Sequence, residues 1–215
     1  MTADSVKKTI YLYSGLGWKS IFAKVRFWDA PYVEVEKIVP KKGTITDLGC
    51  GDGIFTNFLA LTSPKRKLTG IDIDSKRLTA ADKGLKNVQF KLADANKVNL
   101  PKSDAVILFH LLHHLKSQEL QTEVLRKCID SLRKNGKIII IEIDVKFSFK
   151  YFLTLFTDHL IVPWFFDNKL YEPKIFFRHT KEWLILLNDL GLSCKVIMAE
   201  ENKPFTHIIF NCHKR

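Results

Sequence analysis

Apolar positions along the chain recur in two alternating periods. Residues 44–48, 67–71, 88–92 and 104–109 read as short strands, the third with Val88, Phe90 and Leu92 alternating. Helical spacing falls between them. Residues 54–61 place Ile54, Phe58 and Leu61 on one face. Residues 75–84 form a short helix, with Asp74 or Ser75 able to cap it and Gly84 able to end it. Leu120, Val124, Cys128 and Leu132 recur every four residues. An Asn135-Gly136 turn then leads into residues 137–143. There Ile138 to Ile141 is apolar on both faces, as in a strand covered by helices on each side. The end of the chain departs from this alternation. Residues 180–190 predict a helix with Trp183, Leu184, Leu187 and Leu190 inward, closed by Gly191. Residues 193–199 and 206–212 predict two strands joined by the polar turn 200–204, hence an antiparallel hairpin at the sheet edge. Together these elements predict an α/β, doubly wound, Rossmann-like fold. Its seven-stranded sheet is mostly parallel, with helices on both faces.

Length and composition narrow the possibilities. The chain has 215 residues, 46% apolar and 27% charged, which fits one globular domain and excludes a disordered tail or a disulfide scaffold. That domain divides into cap helices (1–42), a glycine-loop core (43–145), an aromatic insertion (146–179) and a closing helix with its hairpin (180–215). The net charge of +11 favours anionic partners such as phosphates, nucleic acid or a membrane face, or else serves solubility. Cys50, Cys128, Cys194 and Cys212 form no C-x-x-C pair. Read as free thiols, and with no apolar signal core near the N-terminus, they predict a cytoplasmic protein.

The first strand runs into Asp47-Leu48-Gly49-Cys50-Gly51-Asp52-Gly53. Glycines at alternate positions allow a tight turn and a close backbone approach to a ligand. A nicotinamide dinucleotide would require a further glycine three places after Gly51, and Ile54 stands there. The second strand leads into Gly70-Ile71-Asp72-Ile73-Asp74, the third into Leu92-Ala93-Asp94-Ala95, and the fourth into Phe109-His110-Leu111-Leu112-His113-His114. Leu132-Arg133-Lys134-Asn135-Gly136-Lys137 precedes the fifth.

In that order, from about Gly43 to Leu192, these segments resemble the class I S-adenosylmethionine-dependent methyltransferases of the small-molecule type. The resemblance implies S-adenosylmethionine as cofactor and S-adenosylhomocysteine as product. It implies that the loop Gly49-Cys50-Gly51 holds the methionine carboxylate through N–H groups, and that Asp47 meets the amino end through water or backbone. Asp72 would take both ribose hydroxyls and Ile73 would lie on the adenine. Asp94 and Ala95 would meet the adenine edge, and Phe109 and His110 would border the methionine. Cys50 reads as a small filler. Asp72, Asp74 and Asp94 could instead satisfy their own turns or the next helix.

Methyl transfer from a sulfonium is a direct displacement, so alignment and exclusion of water are the main tasks, and a base is needed only for a protonated acceptor. His110, His113 and His114 are the candidates for such a base, with a loop-structuring role as the alternative; His179 is a more distant possibility. The family's Asn/Asp-Pro-Pro-aromatic motif for nucleic-acid amines is absent after strand four, and no Pro-Cys dipeptide occurs. These absences argue against nucleic acid as the substrate, and no acidic cluster predicts a metal.

Residues 147–177 are unusually aromatic but are interrupted by Asp158, His159 and Pro163, short of the roughly 20 apolar residues that span a bilayer. They read as a core helix, as a lid over an apolar acceptor pocket, or as a segment lying at a membrane surface. Tyr11 or Tyr13 could reach the same pocket from the N-terminal helices, or simply pack on the sheet. The reading is therefore methyl transfer to a small, apolar or lipid-like acceptor. A nucleic-acid methyltransferase and a non-catalytic cofactor-binding module are the rivals.

Overall fold

The computed structural model describes residues 2–15, 17–143, 176–199 and 206–215. Strands run over Gly43–Leu48 (β1), Arg66–Asp72 (β2), Val88–Leu92 (β3), Ser103–Phe109 (β4), Leu132–Ile143 (β5), Leu192–Ala199 (β6) and His207–Lys214 (β7). They form one sheet in the order β3-β2-β1-β4-β5-β7-β6. β1 to β5 pair in parallel, while β7 pairs antiparallel with both β5 and β6. The chain reverses direction across the sheet between β1 and β4, and ligands of open α/β sheets bind outside the carboxyl ends of strands at such a reversal.

The sheet is sealed on both faces. Ala105, Ile107, Phe109, Ile139 and Ile141 point to one side, where they meet α1 (Thr2–Leu12), α2 (Trp18–Asp29), α3 (Tyr32–Ile38) and α4 (Ile54–Thr62) through Tyr13, Ala23, Tyr32 and Phe58. Val106, Leu108, Ile138 and Ile140 point to the other. There they meet α6 (Gln118–Ser131) and α7 (Thr180–Asp189) through Val124, Leu125, Trp183 and Leu187. The period of two along a strand divides the isoleucine run between these two cores.

Several boundaries differ from the sequence expectation. The short helix α5 (Ser75–Ala81) ends before Gly84; Asp74 caps it, accepting from the N–H groups of Lys76 and Arg77. Gly84 instead takes a left-handed turn and donates to Asp82. The Asn135-Gly136 turn is absorbed into β5, where the register with β4 jumps between Ser103↔Leu132 and Ala105↔Lys137 and Asn135 adopts φ 67°. Leu92, at the end of the edge strand β3, is 58% exposed. Cys194 and Cys212 face each other across β6 and β7 and are joined in a disulfide, so only Cys50 and Cys128 are free. Hairpin register creates that pair, which an 18-residue separation conceals.

A charge no periodicity predicted lies inside. Arg66 is fully buried and donates to the carbonyls of Pro40, Leu59 and Val39, to Thr62 and to Glu36. It thereby ties the C-terminal ends of α3 and α4 to the start of β2. The expected polar turn 200–204 and most of the aromatic insertion, residues 146–175, lie outside the described residues.

Candidate active site

The glycine loop leaves β1 at the sheet reversal. Gly49, Gly51 and Gly53 all have positive φ, 77°, 54° and 67°, which explains why glycine stands at each. The N–H groups of Gly49 and Cys50 both donate to the Ile71 carbonyl, and that of Gly51 donates to Asp72 Oδ2 at 2.7 Å. In this arrangement the three donors expected to hold a carboxylate are used inside the fold. Their bonds set the shape of the loop instead. A side chain at Gly49 would strike Leu111, and one at Gly51 would meet the Arg77 guanidinium, so packing as well as φ calls for glycine at both.

Asp72 closes β2 with a half-buried carboxylate. Its second oxygen accepts from the Asp74 N–H at 3.0 Å. Next to it Ile73 is 69% exposed, and Leu92, the register partner of Asp72 on β3, is exposed as well. Asp72 is thus flanked by two exposed aliphatic side chains. Asp94 lies one strand over, half-buried; its Oδ1 accepts from the backbone and side-chain amides of Asn96. Ala95 follows in that turn.

Asp47 lies beneath the loop. It is buried, its Oδ2 accepts the Thr56 hydroxyl at 2.5 Å, and its Oδ1 has no partner among the described residues. Burial, with the nearby Asp72 charge adding, pushes its carboxyl up to about 7 against the opposing pull of Thr56. An orphaned buried oxygen that awaits positive charge is what a cationic ligand would satisfy. Cys50 sits with its sulfur against Gly70, and burial raises its thiol well above the ordinary range.

The second half of the site is a cluster beyond β4 and β5. His110 occupies the left-handed region at φ 52°, its N–H donating to Ile141. Its ring stacks on that of His207, with centroids 5.0 Å apart and planes at 12°. Arg26 from α2 reaches it, with Nη2 3.4 Å from Nδ1; the same guanidinium pairs with Asp29 at 3.0 Å. His113 is buried, hydrogen-bonded through Nδ1 to Glu142 and stacked on Phe177. The other Glu142 oxygen accepts the Leu112 N–H at 3.1 Å. His114 is exposed. Phe109 packs against Tyr32 and Phe55 as well as His110. His179 starts α7 and is exposed, with its N–H bonded to Glu182.

Three residues of this cluster escaped the sequence reading: Arg26, Glu142 and His207. Glu142 carried a signal, a lone acid closing a run of four isoleucines. Arg26 and His207 carried none, since their role comes from tertiary placement. Gln121 was read only as part of a helix. It is buried, and its amide donates to the carbonyls of Leu112 and Phe176, which docks the chain after the insertion onto the β4 exit. Tyr11 is exposed, whereas Tyr13 is buried against the glycine loop.

Comparison with known proteins finds methyltransferases. Residues 45–136 match the family described as a methyltransferase domain. The chain is 31% identical over 121 residues to a demethylmenaquinone methyltransferase of Thermotoga maritima, covering 54% of this chain and 50% of that one. It is 35% identical over 101 residues to flavonoid 7-O-methyltransferase 1B of Mentha piperita, covering 46% and 28%. The chain thus spans half or less of the length of these curated relatives. Among solved structures, the DhpI complex with S-adenosylhomocysteine superposes with a TM-score of 0.69 at 18% identity, covering 99% of this chain and 96% of that one. The matched core, residues 45–136, is thus similar to a methyltransferase domain, and the fold is the one that S-adenosylmethionine-dependent methyltransferases such as DhpI have.

Proposed function

We propose that the chain transfers a methyl group from S-adenosylmethionine to a small organic acceptor of apolar or lipid-like character. The observation that carries this reading is the Asp72 carboxylate, fixed by the Gly51 N–H beside the exposed Ile73 and Leu92. Asp72 would take the ribose hydroxyls, Ile73 and Leu92 the adenine faces, Asp94 and Ala95 the adenine edge, and Asp47 the cationic end. S-adenosylmethionine supplies the methyl as a sulfonium, a group that needs no activation. The protein's share is alignment and exclusion of water. If the acceptor must lose a proton, His113 is the best-oriented base of the three candidates, because Glu142 fixes its ring. The aromatic insertion supports the apolar part of the reading by its composition alone. The relatives' printed acceptors, a flavonoid and demethylmenaquinone, are likewise small organic molecules.

Incubation with methyl-labelled S-adenosylmethionine and cell extract, followed by separation of organic-soluble, nucleic-acid and protein fractions, tests it. The expected result is label in the organic fraction. Label confined to nucleic acid would overturn it and give the +11 charge its meaning.

A further inference from the structure

We propose that Arg26 is a positioning residue that holds His110 as its Nε2–H tautomer, so that His110 meets the acceptor as a hydrogen-bond donor and not as a base. The inference rests on the methyltransferase reading for its acceptor, but not for its geometry. A guanidinium has donors only and never loses its charge in a protein. The ring nitrogen that faces Arg26 Nη2 at 3.4 Å, Nδ1, must therefore present its lone pair. The proton of the neutral ring then sits on Nε2. That atom is closed off from solvent and has no partner among the described residues.

Arg26 is itself held from several sides. Nη1 pairs with Asp29, Nε donates to the Tyr32 hydroxyl at 3.3 Å, and the guanidinium lies over the Tyr32 and Phe109 rings at 5.6 and 5.8 Å. His110 is equally constrained by its stack on His207 and by its left-handed backbone, a conformation that non-glycine residues adopt mainly where the fold imposes it. Burial first, then His207 and the Arg26 charge, hold its pKa well below the ordinary value, which keeps the ring neutral. A buried N–H with no partner costs free energy until an acceptor reaches it. The substrate class implied is a molecule with a hydrogen-bond-accepting oxygen beside the atom that is methylated. Among the three histidines this separates the roles: His110 orients, while His113, with Nδ1 on Glu142, keeps the basic geometry.

Nitrogen-15 NMR of the imidazoles tests the proposal directly, with the His110 signals assigned by their loss in His110→Gln. At neutral pH the wild type should show a protonated, pyrrole-type Nε2 and a pyridine-type Nδ1. Arg26→Lys, which retains a cationic donor, should preserve that pattern, and Arg26→Leu should convert it to a mixture of the two neutral tautomers. An Nδ1–H or charged His110 in the wild type would overturn the proposal, as would an unchanged tautomer in a folded Arg26→Leu. In the labelled-extract assay, His110→Leu should lose about tenfold more transfer than His110→Gln, which keeps an N–H donor without a titratable ring; equal losses would overturn the donor role. Dialysis of labelled S-adenosylmethionine against the wild type runs alongside. Failure to bind would sink the methyltransferase reading and leave the tautomer result standing by itself.

Discussion

The hydroxyl of Tyr13 donates to the carbonyl of Asp52 at 2.7 Å, which joins the end of α1 to the glycine loop across 39 residues of sequence. The same oxygen accepts from Asn57, whose other amide hydrogen goes to Ala81, and Lys83 lies over the ring at 4.3 Å. Burial raises the phenol above its ordinary range, so it stays a donor at any working pH. The end of α1 thus braces the glycine loop from behind.

Tyr13→Phe keeps the ring and removes the donor. It leaves the Asp52 carbonyl and one Asn57 hydrogen unsatisfied in a buried place, which should destabilise the fold by about 1–3 kcal/mol. Chemical denaturation with an unchanged m-value checks this, and a stability equal to the wild type would show that the brace is idle.

Asp47 makes stability depend on pH. Its folded pKa of about 7 lies above the ordinary 3.8, so the folded protein binds this proton more tightly than the unfolded chain. The contribution is therefore full below about pH 4 and is lost as pH rises to about 7, roughly 4 kcal/mol in all. Asp47→Asn should flatten that part of the ligand-free stability curve. A cationic ligand favours the ionised carboxylate, so S-adenosylmethionine should bind more tightly as pH rises towards 7, with proton release. Calorimetry in buffers of different ionisation enthalpy would register that release, and equal heats would count against it.

Gly70 lies in extended backbone and needs no special φ, yet its place is crowded. A Cβ there would come within 2.6 Å of the Phe90 ring and 2.9 Å of the Cys50 sulfur. Gly70→Ala should cost about 1–3 kcal/mol by overpacking and shift the loop that Cys50 belongs to. A thermal midpoint matching the wild type would show that Phe90 yields freely.

Removing Arg66 should be the most damaging of these changes. Arg66→Ala strips four backbone and hydroxyl acceptors and leaves Glu36, itself buried, with the exposed Lys41 as its counter-ion among the described residues. A loss of about 3–5 kcal/mol is expected. Denaturation that shows less than 1 kcal/mol would contradict the staple described above.

The strand alternation and the isoleucine run disclosed the sheet and its two covered faces, because burial on both sides leaves an apolar signature in one dimension. The acids and glycines of the first three loops were legible for the same local reason: each follows a strand directly. What stayed hidden depends on packing between distant segments. Arg66 looks like one of three consecutive basic residues, yet it alone is buried. Arg26 and His207, separated by 181 positions, meet His110 only in the folded chain. The use of the loop N–H groups by Ile71 and Asp72 was equally invisible, since spacing does not say where a donor is aimed.

The central claim is that Asp72 and its glycine loop bind S-adenosylmethionine, and equilibrium dialysis of the labelled cofactor against wild type and Asp72→Ala tests it most directly. The account predicts saturable binding by the wild type and affinity at least about tenfold weaker in the variant, from the loss of a charged hydrogen-bond acceptor. No binding by the folded wild type, or equal affinity in a folded Asp72→Ala, would contradict it.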